Sequence, residues 1–85
     1  MPKRDKWRIY LDILKVISRN ENCSKTKAMQ LSNLSWRSFS KHFMYLSDNN
    51  FLENDCDSVK NYSLTKKGEE LLSKLVSVAK ILEET

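Results

Sequence analysis

The 85-residue chain has one glycine and one proline, which leaves few places for positive-φ turns or helix breaks and argues for long helices. It has one histidine and two cysteines. Cys23 and Cys56 stand 33 residues apart with no CxxC pair, so the ligand spacing of a zinc site is missing. Two unpaired thiols in a reducing compartment are the expectation, since a disulfide would need their Cα atoms within about 7 Å. No stretch approaches the roughly 18 apolar residues that span a bilayer. The opening MPKRDK leads into a mixed helix and not into the apolar core of a signal peptide, so a cytoplasmic location is expected. The constellations of catalysis are absent too: there is no paired acid and base, no activated nucleophile and no glycine loop to cradle phosphate. Glu69 and Glu70 are adjacent, point different ways on a helix, and read as favourable charges near its N-terminus. No enzyme activity, metal, cofactor or small-molecule substrate is expected.

What is present is an uneven charge. The net +4 divides into ten Lys/Arg against three Asp/Glu in residues 1–45, a net of +7, and five against eight in residues 46–85, a net of −3. The basic half favours an anionic partner. A chain this short buries roughly 60% of its unfolded surface, so its core is modest and a second copy would help it.

Hydrophobic periodicity organises the basic half into three helices. From Asp5 to about Arg19, Trp7, Tyr10, Leu11, Leu14 and Ile17 share one face, which packs inward. Ile9 and Val16 fall together on the far side, a pair that hints at a second buried interface. Asn20 to Cys23 break the pattern. Cys23 or Ser24 caps a short helix from about Lys25 to Leu31, with Ala28 and Leu31 inward and Lys25 and Lys27 outward. Ser32, Asn33 and Leu34 then turn into Ser35, which caps a third helix reaching Asn50. With about 100° of rotation per residue, Phe39, Phe43 and Leu46 form its apolar stripe, flanked by His42, which is expected to be half-buried and hydrogen-bonded. Arg37, Ser40, Lys41, Met44 and Asp48 lie opposite. Helix, tight turn, basic helix is the helix-turn-helix arrangement, in which the second of the pair enters the major groove of DNA.

After Asn50 the pattern changes. Phe51 to Glu53 start one strand, Tyr62 and Leu64 share a face of a second, and Asn54 to Ser58 supply turn chemistry. Thr65 caps a last helix from Lys66 to about Glu84. There Leu71, Leu75, Val78 and Leu82 follow the alternating four and three spacing of a coiled-coil seam. Leu72, Val76, Ala79 and Ile81 widen the apolar arc to about 220°. One small domain cannot cover that arc, so part is expected to pack on helix 1 and the rest on the same helix of a second copy. The expected dimer interface is Ile9, Val16, Leu71, Leu75, Val78 and Leu82.

The fold class is thus mainly α with a small β-hairpin: residues 1–65 a winged helix-turn-helix, residues 66–85 a dimerisation helix. With NLSW opening the third helix, YSLTKKGEELL joining hairpin to last helix, and WRIYLDILKVI and CSKT before them, the chain resembles the archaeal winged-helix DNA-binding proteins. It looks closest to the small crenarchaeal group that dimerises through an antiparallel coiled coil of its last helices. The family usually has Tyr where this chain has Trp36. The resemblance implies binding of double-stranded DNA by a homodimer associated with the nucleoid, as a regulator of transcription or an architectural chromatin protein. It places Trp36, Arg37, Ser38, Ser40 and Lys41 at the groove; the helical wheel agrees for Arg37, Ser40 and Lys41, and leaves Trp36 as either a lid on the core or a DNA contact. Ser35, Lys25, Lys27 and Lys60 complete the expected DNA-binding set. The wing departs from expectation, since Asp55 and Asp57 would repel phosphates. A winged-helix module that docks a protein through the third helix or the acidic wing is the alternative.

Overall fold

The computed structural model describes residues 5–20, 23–55 and 58–83, and the side chains of these except 55 and 58–60. In chain order the elements are α1 (Lys6–Arg19), β1 (Cys23–Ser24), α2 (Lys25–Ser32), α3 (Trp36–Asp48), β2 (Leu52–Asp55), β3 (Ser58–Leu64) and α4 (Lys66–Glu83). The three strands form one antiparallel sheet in the order β1-β3-β2, with Cys23 opposite Tyr62 and Leu52 opposite Leu64. A hairpin was expected from the sequence. The third strand, β1, is two residues long, too short to carry a period, and it exists because β3 offers it a pairing edge.

The core is a helical one, sealed by the sheet. Ile13, Leu14, Phe39 and Leu46 are wholly buried, with Ile9, Ile17, Cys23, Ala28, Phe43 and Leu52 around them. Helix α1 lies at the centre, in contact with α2, α3, α4 and β3. That surround corrects the single-stripe reading of α1: Ile13 is fully buried, and Ile9, expected on the far side, belongs to the protomer's own core at 8% exposure. Val16 is half-buried and packs against the same core. A second correction falls on α2, where Ala28 and Ser32 are buried and Leu31 is exposed. The short helix thus turns Ala28 and Ser32 toward the core, with Met29 packed beside them, and leaves Leu31 outside.

Capping chemistry fixes each junction. The Ser24 hydroxyl accepts the Lys27 amide at 3.1 Å and the Ser35 hydroxyl accepts that of Ser38 at 3.3 Å, each such cap stabilising its helix by about 1 kcal/mol. Between α2 and α3 the chain turns through Asn33 at φ 60°, a left-handed conformation that asparagine tolerates. Helix α3 ends the same way, with Asn50 at φ 63° and the Phe51 amide donating back to the Leu46 carbonyl at 2.9 Å. This is a Schellman ending with asparagine in the glycine position.

The segment TKKG then seats α4. The Thr65 hydroxyl donates to the Asn50 carbonyl and accepts the Gly68 amide at 3.0 Å, while the Thr65 amide donates to the Phe51 carbonyl at 3.1 Å. Lys67 reaches the Asn49 carbonyl at 2.9 Å and lies over the Phe51 ring. A Cβ on Gly68 would stand 2.1 Å from the Phe51 carbonyl oxygen. Glycine is required there because backbone meets backbone. Further along, Leu71, Leu72 and Leu75 pack against the core and Ala79 is buried. Arg8 of α1 holds Glu83 at the far end through a 2.8 Å ion pair. No helix among the described residues is long and apolar enough to cross a membrane.

Candidate nucleic-acid interface

Helix α3 has a buried back and an open front. Phe39, His42, Phe43 and Leu46 face the core, as the wheel requires. His42 is 8% exposed, its Nδ1 donating to the Ser38 carbonyl at 2.7 Å and its ring edge-on to Tyr10. It is a packed, hydrogen-bonded residue with no ligand-like neighbours, and among the described residues no group of three or more potential ligands could hold a metal.

On the front, Arg37 and Lys41 are exposed and one turn apart; Lys27, on α2, is also exposed, its backbone amide held by Ser24, the cap of that helix. Arg37 and Lys41 also line a cleft of about 640 Å³ together with Lys6, Leu34 and Ser38. Lys6 was not among the expected contacts; it closes the basic lead of Lys3, Arg4 and Lys6 at the start of α1, which is the signal that marks it. Three cations on one concave, water-exposed surface create a positive field suited to a polyanion.

Other expected contacts are placed differently. The Ser40 hydroxyl is buried and has no hydrogen-bonding partner among the described residues, so it is turned away from the open front. Helix α1 and strand β2 pack on α3, and its free arc is narrower than a wheel drawn for an isolated helix. Lys25, expected to point outward, is half-buried, its ammonium 5.3 Å from the Trp36 ring centre and 5.4 Å from that of Phe43. Trp36 is 56% exposed and is no lid on the core. Ser38 is half-buried, and Ser35 is exposed with its hydroxyl engaged in the cap. The side chains of Asp55 and Lys60, and Cys56 and Asp57 of the wing altogether, lie outside what the structure describes. Cys23 is a free, buried thiol, and burial pushes its pKa up despite the opposing charge of Lys27.

The expected dimer residues also divide. Val78 and Leu82 are exposed at 43% and 51%, joined by Val76 and Ile81. Leu71 and Leu75 are half-buried against their own core, and Ile9 has almost no surface left.

A helix-turn-helix with a basic second helix, followed by a hairpin and a closing helix, defines a winged helix-turn-helix protein. Comparison with known proteins agrees: the model of the winged helix-turn-helix family matches residues 3–83, and the chain belongs to that family. It is 42% identical over 80 residues to the uncharacterised protein MJ0290 of Methanocaldococcus jannaschii, covering 94% of this chain and 36% of that one. It is 32% identical over 80 residues to MJ0287 of the same organism, covering 94% and 78%. The chain thus spans about a third of the first relative and most of the second. Among solved structures, Sso10a-2, a DNA-binding protein from Sulfolobus solfataricus, superposes with a TM-score of 0.80 at 22% identity, covering 95% of this chain and 84% of that one. BpsR of Bordetella bronchiseptica, whose DNA binding is regulated by 6-hydroxynicotinic acid, superposes at 0.71 with 15% identity, covering 89% and 61%. At these identities the likeness is one of fold.

Proposed function

We propose that the protein binds double-stranded DNA as a homodimer, with the first two turns of α3 in the major groove, and serves as a transcriptional regulator or an architectural chromatin protein of the nucleoid. The observation that carries this reading is the exposed pair Arg37 and Lys41 on the front of α3, in one cleft with Lys6. Arg37 has the planar fork that can take guanine O6 and N7 together, and Lys41, Lys27 and Lys6 suit phosphates. The fold neighbour Sso10a-2 is itself a DNA-binding protein. Residues 1–65 form the DNA-binding unit in this reading, and α4 joins two copies through Val78, Leu82 and their exposed neighbours.

A gel-shift titration on duplex DNA at low salt tests it. Wild type is expected to form a complex that weakens steeply with salt, and Arg37→Ala/Lys41→Ala to lose roughly ten- to a hundredfold in affinity. Unchanged affinity in the double variant would move the DNA surface elsewhere. No complex at micromolar wild type would favour the protein-docking alternative, for which Met44 and Tyr45, 59% and 50% exposed on the other half of α3, are the specific support. Selection of bound sequences from random duplexes separates the two DNA roles: a palindrome indicates a dimeric regulator, and no enrichment an architectural protein.

A further inference from the structure

Trp36 is a large apolar side chain left exposed in the first turn of a helix, next to the exposed cations Arg37 and Lys41. It is not loose. Its ring lies 6.5 Å from that of Phe39, Phe39 is 5.1 Å from Phe43, and Phe43 meets Tyr62 of β3 edge-on at 4.8 Å. Four rings thus run from the buried sheet to the exposed tip, each contact favouring a defined geometry. From the side, the Lys25 ammonium sits over both Trp36 and Phe43, a cation–π contact that holds the indole against the column. The arrangement mounts an apolar group rigidly beside Arg37, on the surface where a duplex would dock.

A major groove offers such a group one apolar feature. Hydrogen-bonding edges of all four bases are polar there, and only thymine adds a C5-methyl. Resting on the DNA-binding reading above, we propose that Trp36 is a specificity-determining residue that packs on a thymine methyl, and that Lys25 is a positioning residue for the indole and not a phosphate ligand. Lys41 and Lys6 bring DNA to this surface without distinguishing bases; beside Arg37, which suits guanine, the indole distinguishes a base that carries the methyl from one that does not.

Replacing thymine by deoxyuridine throughout a random-sequence duplex removes the methyl and keeps every base-pairing group, so it isolates the contact without knowledge of the site. Wild type is expected to bind the thymine duplex roughly threefold to tenfold more tightly than the deoxyuridine duplex. Trp36→Ala is expected to bind both equally. Because Trp36 is exposed, the helical circular dichroism of this variant should match wild type. Lys25→Gln should shrink the thymine preference while leaving the salt dependence unchanged, whereas loss of a phosphate contact would lower the slope of log K against log salt by about one. Equal affinity of wild type for the two duplexes, or an undiminished preference in Trp36→Ala, overturns the thymine contact while leaving DNA binding intact. A flattened salt slope in Lys25→Gln overturns its positioning role. Failure of wild type to bind either duplex overturns the DNA reading and this inference with it.

Discussion

The front of α3 and the outer face of α4 are both exposed, and they are exposed for opposite physical reasons. Arg37, Lys41 and Lys27 are stable in water and gain from an anion; nothing about the fold requires that one be present. Val76, Val78, Ile81 and Leu82 are apolar, and leaving them in water forgoes burial energy of about 25 cal/mol per Å². A charged surface therefore gains from an anionic partner, and an apolar one gains when it is removed from water. The first predicts binding that depends on salt, the second an association that hardly does.

The largest expected effect lies on the apolar side. Val78→Glu/Leu82→Glu should convert a dimer to a folded monomer, raising the dimer dissociation constant a hundredfold or more, or about 2.7 kcal/mol, as read by sedimentation equilibrium. A monomeric wild type would remove the basis for the contrast. Leu75 is a poorer choice for this test, because it packs against its own core and its loss would confuse folding with association.

Next is Gly68→Ala, which attacks the seat of α4 and hence both surfaces together. With the new Cβ 2.1 Å from the Phe51 carbonyl oxygen, the helix must shift, at a cost of about 1–3 kcal/mol in thermal or denaturant unfolding. Stability equal to wild type would show that α4 can move without loosening the corner it rests on. The smallest effect is on the charged side. Lys27→Ala should weaken duplex binding evenly across sequences and lower the salt slope by about one, with no change in dimer mass. A change in sequence preference instead would make Lys27 a reader of bases.

The particular residues explain how much could be read in advance. Ser35 and Thr65 announced their helices because a hydroxyl cap is a local device, satisfied within the next turn or two. The stripe of Phe39, His42, Phe43 and Leu46 was legible for the same kind of reason, since the period of a helix lies in the sequence itself. Ile9 was misplaced and Ile13 left out because a helix packed on several sides no longer obeys a single stripe, and Leu31 was placed inward where the short α2 exposes it. Strand β1 could not be foreseen from two residues. Ser40 was assigned to the open front by helical angle and by resemblance, Lys25 to the outside of α2 by pattern, and they lost those places to neighbouring elements and to a pair of aromatic rings.

By itself the sequence determined the order of the four helices and the hairpin, the caps of α2, α3 and α4, the basic first half and the wide apolar arc of α4, because these depend on spacing, side-chain chemistry and counts of charge along the chain. Tertiary structure decided which of these faces stay open: it drew Ile9 into the core, half-buried Leu71 and Leu75, buried the Ser40 hydroxyl, set Lys25 on Trp36 and left the indole exposed. Exposure is a property of what packs alongside a residue, and that depends on elements far away in the chain.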